Sequence, residues 1–411
     1  MRGLLLGLLL LAAPAAADEP GLPPAAAVDL ALDSHPMVEA ARARIAAAEG
    51  DARARAAGPH DFIANASVMR RSVDREGDYA EFDASLLRAV RLPGKARLDR
   101  RAGADGIRAA RNMAEDARHQ TAVLLSNHWW DWLGAAAEVG VLKRASATLE
   151  TAMSAARQRV RARDAAPVEA DQAATALGMA RAAEQAAVGR ERAARTALGA
   201  QFPGLPLPVA PPDLPAPKLP DQGVSVLAAL VVQRSHEIGA AVATADRMQA
   251  LAERARREKT ADPSVGIRGF SERGGAERGI GVLFSMPFGG GYRSGLADQA
   301  GAEASAALAD VAAVRADIAA LAANDEAMAL STFHGWEEAA RASTAAAAAA
   351  RRMADGAALG GIDLADRLYA ERQALDAALA EATARTTALR AITRLRIDSH
   401  TLWMDAGHDE H

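Results

Sequence analysis

Two carboxylates lie three residues apart, Asp363 and Asp366, at the start of a predicted helix near the end of the chain. At that spacing both side chains project from one face of a helix. The pair therefore predicts a site that attracts cations. A structural interpretation stays open beside it, because acidic side chains in a first helical turn also complement the helix dipole.

Two short breaks in otherwise helical sequence contain the remaining candidate binding residues. The breaks are 161–167 and 356–361. The tip at the first carries Arg157, Arg161, Arg163 and Asp164, and the tip at the second carries Arg352, Gly356 and Gly361. Charged ends of helical hairpins can dock a partner protein, or they can simply be solvated. The sequence leaves both interpretations open.

Catalytic and metal-binding chemistry is not indicated by the residue pattern. No arrangement of nucleophile, base and acid stands out, and none of the nine His forms a compact ligand set with known metal spacing. The run Gly289-Gly290-Gly291 is not followed by Lys and Ser or Thr, so a phosphate loop is unsupported. The Trp-rich run 129–132 is typical of helix packing. We expect no enzyme, no cofactor and no metal site.

Composition restricts where the chain works. The formal net charge of −4 argues against nucleic acid as a partner. Residues 1–17 combine Arg2, an apolar run and Ala15-Ala16-Ala17, which predicts a secretory signal peptide. No other run of about 18 apolar residues follows. The mature chain is therefore expected to be soluble outside the cytoplasm or to meet a membrane through β-strands.

The chain repeats itself. Ser34-His35 and Ser235-His236 each precede an Ala/Arg-rich run, an alternating segment and a Pro/Gly turn. The turns contain Pro93 and Gly94 in the first copy and Pro287 and Gly289 in the second. A repeat of this size predicts one structural unit built twice. We expect repeats at 18–202 and 222–404, a Pro-rich linker at 203–221 and a tail at 405–411.

Periodicity predicts the elements of each repeat. Partial alternation predicts β-hairpins at 62–92 and 263–288. Proline-free stretches predict helices over 95–163 and 292–354, and helices returning over 168–198 and 363–402 after each break. Helices of that length must pack along one another as coiled-coil-like rods. Aromatic residues gather around the hairpins, as strands and membrane interfaces both favour.

This order of elements resembles the TolC-like outer-membrane efflux channels over about residues 25–403. The motifs that carry the resemblance are Leu32-Asp33-Ser34-His35-Pro36, Leu92-Pro93-Gly94-Lys95, the run 285–293 and Ile362-Asp363-Leu364-Ala365-Asp366. The Leu92–Lys95 turn, followed by Arg97, Arg100 and Arg101, is most similar to the heavy-metal branch of that family.

The resemblance implies a mainly α fold with a small β part. Two hairpins from each of three chains would form a trimeric twelve-stranded β-barrel in the outer membrane, and the long helices would form a coiled-coil barrel in the periplasm. The homotrimer would be the passive conduit of a tripartite efflux pump for small solutes, heavy-metal cations included. Its partners would be a periplasmic adaptor, an inner-membrane transporter and outer-membrane lipid. Asp363 and Asp366 would line the pore constriction, and the two tips would dock the adaptor.

Two features depart from the family pattern. Members of the metal branch often carry a lipidated Cys after the signal, and this chain contains no Cys. The first tip reads Asp164-Ala165-Ala166-Pro167 where the family has a Gly. The alternative function is a periplasmic coiled-coil adaptor or scaffold without a pore. An adaptor normally has one long hairpin, so two repeats argue against it.

Overall fold

The computed structural model describes residues 20–404. The predicted signal peptide, 1–17, and the predicted tail, 405–411, lie outside the described residues. The described chain is mainly helical with a small antiparallel sheet, which confirms the predicted fold class. Each half contains two helices, two strands and two further helices in that order.

The elements of the first half are α1 (Ala25–Asp33), α2 (Pro36–Ala57), β1 (Phe62–Val73), β2 (Gly77–Ala89), α3 (Lys95–Arg161) and α4 (Pro167–Gln201). Those of the second half are α5 (Val224–Gln233), α6 (His236–Glu258), β3 (Ser264–Glu272), β4 (Glu277–Ser285), α7 (Gly291–Ala358) and α8 (Leu364–Asp398). Ser34 and His35 separate α1 from α2, and Arg234 and Ser235 separate α5 from α6. In the second half Ser235 caps α6, because its side chain accepts a hydrogen bond from Ile238 N.

Several predicted boundaries need correction. Helix α7 continues through Ala358, so Gly356 is helical and does not lie in the break. Helix α8 ends at Asp398, where the prediction continued to 402. Strand β1 reaches Val73, past the clearest alternation, because its ladder with β2 continues to the Val73–Gly77 pair.

The described chain divides into two compact units, and each unit takes segments from both halves. The first unit is helical. Its core contains Trp129, Trp130 and Trp132, all at most 2% exposed, which confirms that this run serves packing. Each indole N–H has an acceptor: the Gly21 carbonyl, the Thr393 hydroxyl and the Glu191 carboxylate respectively. A buried indole therefore leaves no unpaired donor.

The Pro-rich linker belongs to this first unit. No helix or strand lies between Gln201 and Val224. Phe202 and Leu205 are nevertheless buried in the tryptophan core. Helices α3 and α8 approach closely beside it, because a Cβ on Gly134 would lie 2.8 Å from Thr386 Cγ2. The linker is thus a packed segment.

The second unit contains α2, α6, the sheet and the adjoining parts of α3 and α7. The sheet has the order β1-β2-β3-β4, with every neighbouring pair antiparallel. The two predicted hairpins are therefore joined by the β2–β3 pairing. One described stretch, Val224–Glu258, is long and apolar enough by composition to cross a membrane. It is two helices, however, with a break at Arg234 and Ser235.

Candidate functional site

The sheet presents two chemically different faces. Direct pairing places Phe62 opposite Arg88, Arg88 opposite Val265 and Val265 opposite Phe284, so these side chains share one face. The same face carries a set of large apolar side chains that are all exposed: Phe62, Val68, Phe82, Leu86, Val265, Ile267, Ile280, Val282 and Phe284. Exposed apolar area of this extent is typical of a surface that is covered by another phase or molecule.

The opposite face carries most of the polar side chains of the sheet. Asn65 Nδ2 donates to Ser85 Oγ at 3.4 Å, and Arg268 pairs with Asp83. Arg71 pairs with the buried Glu81 at 3.3 Å between Nη1 and Oε1. One-residue alternation along each strand therefore separates a mainly apolar surface from a mainly polar one, which also exposes Ile63 and Met69.

The two outer strands of the sheet are unpaired along one side. The order β1-β2-β3-β4 leaves β1 and β4 without a strand partner on their outer edges among the described residues. Free edges expose rows of backbone donors and acceptors. An assembly that covers the apolar face in lipid must also satisfy these edges.

The predicted turns connect the sheet to the long helices. Pro93 and Gly94 lie between β2 and α3, and Gly94 has a φ of 88°. Pro287 and Gly289 lie between β4 and α7, and Gly289 has a φ of 134°. Only glycine adopts such positive φ values without steric cost, so both glycines supply the backbone conformation that these strand-to-helix connections need.

A buried ionic network fixes the first turn. Lys95 is 1% exposed, and its Nζ donates to the Thr260 carbonyl at 2.7 Å and to Asp262 Oδ1 at 2.8 Å. It also lies 3.0 Å from Glu258 Oε2. Burial acts against ionisation of Asp262, but hydrogen bonds from Lys95, Leu92 N–H and His60 hold its pKa below the usual value. A buried lysine requires such compensation.

The first tip closes α3 with a left-handed residue. Arg163 N donates to the Val160 carbonyl at 3.0 Å, and Asp164 N donates to the Arg159 carbonyl at 2.9 Å. Arg163 has a φ of 60°. These bonds form a Schellman motif, which normally uses glycine at the left-handed position. Arg163 therefore supplies a conformation that this motif normally takes from glycine.

The side chain of Arg159 reinforces that tip. Its guanidinium lies 3.4 Å from Asp164 Oδ2 and 3.3 Å from Glu169 Oε2, and it donates to the Asp164 carbonyl at 3.2 Å. The predicted tip residues Arg157, Arg161 and Arg163 are exposed and form no ion pair within residues 20–404. Sequence reasoning named Asp164 and missed Arg159, its partner.

The second tip repeats the same backbone motif with glycines. Gly360 N donates to the Ala357 carbonyl at 3.1 Å, and Gly361 N donates to the Gly356 carbonyl at 3.0 Å. Gly360 has a φ of 76°. A Cβ on Gly356 would lie 2.5 Å from Ile362 Cδ1, so the loop packs against this glycine. Arg352 lies on the exposed surface of α7, more than one turn before the helix ends.

Asp363 and Asp366 lie together at the start of α8, and both are exposed. Asp363 is the N-cap residue, and its Oδ1 accepts a hydrogen bond from Asp366 N at 2.8 Å. The cap accounts for the presence of an acid at Asp363. The Asp366 carboxylate lies in the first helical turn and forms no ion pair with the described residues.

Two acids are buried together between the helices of the first unit: Asp325 of α7 and Asp398 at the end of α8. Asp398 Oδ1 lies 2.7 Å from His119 Nε2, and Asp398 Oδ2 pairs with Arg394. Asp325 lies beside them, and one of its carboxylate oxygens has no hydrogen-bond partner. Burial and a hydrogen bond with Asp398 raise the pKa of Asp325 to about 7. His119 was noted only as one of nine His, because this pairing joins residues distant in sequence.

Sequence comparisons and structural comparisons give different outcomes. The sequence matches no protein-family model and no curated protein. The structure is similar to the outer membrane protein VceC from Vibrio cholerae, with a TM-score of 0.76 and 17% identity over 91% of this chain and 95% of that one. It is also similar to the MtrE outer membrane channel of Neisseria gonorrhoeae, with a TM-score of 0.70 and 19% identity over 91% and 88% of the chains.

A third similar structure is CusC, studied for folding and transmembrane channel formation. Its TM-score is 0.76, with 13% identity over 91% of each chain. At these identities the likeness concerns the fold. The chain therefore has the fold seen in these outer-membrane channel structures.

Proposed function

We propose that the chain is a subunit of an outer-membrane channel that serves a tripartite efflux pump as a passive conduit from periplasm to exterior. The observation that carries the proposal is the exposed apolar face of the sheet, set against a polar face and two open edges. In water that apolar area costs about 25 cal/mol per Å². In lipid the cost disappears.

The dimensions of the apolar face suit a membrane. Phe62 and Val68 are six residues apart on β1, which is about 20 Å along a strand. Transmembrane barrels of the outer membrane have an apolar band about 25 Å tall. Arg70, two residues beyond Val68, ends the apolar run on this face. A strand of this pattern can cross the hydrocarbon layer with its polar face turned inward.

The open edges support a homotrimer. Four strands cannot close a barrel, and unpaired edges are not viable in lipid. Pairing β4 of one copy with β1 of the next satisfies both edges, and three copies give a twelve-stranded barrel. The polar face with Asn65, Asp83 and Arg268 would then line the lumen. The long helices would extend into the periplasm.

The tips are the proposed contacts of the pump. We propose that Asp363 and Asp366 form the pore constriction, as a ring of carboxylates in the trimer that favours cations. The tip residues would dock the periplasmic adaptor, which links the channel to an inner-membrane transporter. We also propose the repeats 18–202 and 222–404, supported by the identical order of elements in the two halves.

The alternative is an adaptor or scaffold without a pore. In such a protein the exposed apolar face of the sheet would remain in water. Heavy-metal cations are proposed as substrates only because the Leu92–Lys95 turn, followed by Arg97, Arg100 and Arg101, resembles the heavy-metal branch of the channel family. A deletion strain tested for sensitivity to metals and to drugs would separate the two substrate classes.

Membrane fractionation, crosslinking and planar-bilayer recording test the channel together. We expect the protein in the outer membrane, as a trimer that conducts ions. Val282→Lys on the apolar face should prevent insertion, whereas the matched Ser85→Lys on the polar face should insert and change conductance. A soluble monomer, or equal insertion by both variants, would contradict the proposal.

A further inference from the structure

The end of the apolar face that adjoins the helices contains one basic residue. Phe62, Arg88, Val265 and Phe284 form the last row of that face across the four strands. The Arg88 guanidinium lies 4.7 Å from the centroid of the Phe62 ring. Basic side chains at the end of an apolar band extend toward lipid headgroups.

One hydrogen bond orients the guanidinium of Arg88, and its other donors remain available. Its Nε donates to the His60 carbonyl at 2.9 Å. Its two terminal nitrogens form no hydrogen bond or ion pair with the described residues. Two parallel N–H donors held in this way match the oxygens of a phosphate.

A pocket of about 290 Å³ lies beside this guanidinium. Its walls are the end of α2, the end of β2 and Ala96 in the first turn of α3. The first N–H groups of a helix attract anions. His60 also lines the pocket, its side chain is 9% exposed, and its Nδ1 has no hydrogen-bond partner in the described chain.

Nearby carboxylates do not compensate the charge of Arg88. Asp99 pairs with Arg91 and Arg254, and Asp262 pairs with Lys95. Arg91, the other arginine of the pocket, is held by the Arg55 carbonyl and by Asp99. Arg88 is therefore the available cation of this pocket.

We propose that Arg88 and the pocket beside it bind the phosphate of a membrane phospholipid. Phe62 and the exposed Val90 border the site, so acyl chains can follow the apolar face while the headgroup enters the pocket. That continuity favours a phospholipid over free phosphate. The proposal rests on the proposed membrane function, because the site needs the sheet in a bilayer.

The test uses the full chain in dodecyl maltoside, with bound lipid counted by native mass spectrometry. The probes are dioleoylphosphatidylglycerol, dioleoylglycerol without phosphate, and inorganic phosphate without acyl chains. We expect the wild type to prefer dioleoylphosphatidylglycerol. Arg88→Gln should bind it about tenfold more weakly or worse, since hydrogen bonds to charged groups are involved. Arg88→Lys should lie between the two.

Arg278 supplies the matched control. It lies on the same face at the opposite end, opposite Ser271, and its Nε also donates to a carbonyl, that of Gly275. It does not line the pocket, so Arg278→Gln should bind lipid like the wild type. If Arg88→Gln fails to fold, Ala57→Phe, which fills the pocket from the α2 side, should cause the same loss.

Several outcomes would overturn the site. One is that Arg88→Gln or Ala57→Phe binds dioleoylphosphatidylglycerol as tightly as the wild type. Another is that Arg278→Gln loses as much binding as Arg88→Gln. A third is that the wild type binds dioleoylglycerol or inorganic phosphate as tightly as dioleoylphosphatidylglycerol. Bilayer recording keeps this result separate from the channel proposal. If only the lipid site is absent, the wild-type protein still inserts and conducts ions. If the wild-type protein does not insert, the channel proposal itself is wrong.

Discussion

The two tips have one backbone geometry and two chemistries. Each long helix ends in a Schellman motif, and the N-cap position of the next helix lies two residues after the motif, at Ala166 and Asp363. Only Asp363 makes a side-chain capping bond. The first tip places Arg163 at the left-handed position and the second places Gly360 there. The same backbone motif therefore forms with a charged arginine or with a glycine at the left-handed position.

Charged side chains occupy different positions in the two tips. Arg159 of the first tip corresponds to Gly356 of the second, and Ala166 corresponds to Asp363. The acid at the third helical position, Glu169 or Asp366, is common to both. Glu169 is neutralised by Arg159, whereas Asp366 has no ion pair in the described chain. Uncompensated charge at the first tip is thus positive. The second tip carries the acids Asp363 and Asp366 without ion pairs, together with the exposed Arg352, which has no ion pair in the described residues either.

The sharpest test of this difference is pore selectivity. Asp363→Asn with Asp366→Asn removes the acids, while Asn preserves a cap at residue 363. We expect a severalfold loss of cation preference in planar bilayers, because the carboxylate ring is lost. Glu169→Gln is the matched control and should leave selectivity unchanged. If the double variant keeps the cation preference of the wild type, the role proposed for the second tip is wrong.

The helical hairpin of α7 and α8 also carries a buried group whose pKa is strongly raised. The pKa of Asp325 is raised to about 7, so its protonated form is favoured in the folded chain. This contribution to stability is complete below about pH 4 and is lost as the pH rises toward 7. Thermal unfolding followed by circular dichroism should show a falling midpoint over that range.

Asp325→Asn should flatten the slope and raise the midpoint at pH 7 by several degrees, because an amide needs no proton to remain neutral. Asp398 acts in the opposite sense. Burial disfavours its charge, but hydrogen bonds from His119 and Asp325 lower its pKa, so its contribution is lost in strong acid. A slope that persists unchanged in Asp325→Asn would contradict this assignment.

Reciprocal substitutions at the left-handed position test whether the tips share one geometry. Arg163→Gly should stabilise the first tip and Gly360→Arg should destabilise the second, each by about 1 kcal/mol. Space is not the limit at residue 360, because nothing lies within 4 Å of a Cβ built there. Hydrogen exchange of the tip amides measures both effects. Effects of the same sign would show that the two motifs are not equivalent.

The sequence predicted the existence and place of these tips better than their chemistry. Proline and glycine punctuation predicted both breaks but not their bounds, since α3 ends at Arg161 and α7 at Ala358. Alternation predicted both β-hairpins. The left-handed Arg163 was not predictable, because arginine carries no preference for that conformation. The buried pair of Asp398 with His119 was also out of reach, since it joins residues 279 positions apart. Local patterns predict elements, whereas contacts between distant elements decide which charges are compensated.

Substitution of Arg159 is expected to have the smallest effect of these changes, and it tests a single side chain. Its side chain is 47% exposed, and exposed ion pairs contribute about 0.2–1 kcal/mol each. Arg159→Gln should therefore lower the stability of the first tip by less than about 1 kcal/mol, and the loss should shrink in 1 M salt, where charges are screened. Arg157→Gln, an exposed arginine with no ion pair in the described residues, should change stability by less than about 0.5 kcal/mol. If the effect of Arg159→Gln is independent of salt, its hydrogen bond to the Asp164 carbonyl is the main contribution, and the first tip then depends on backbone geometry as the second does.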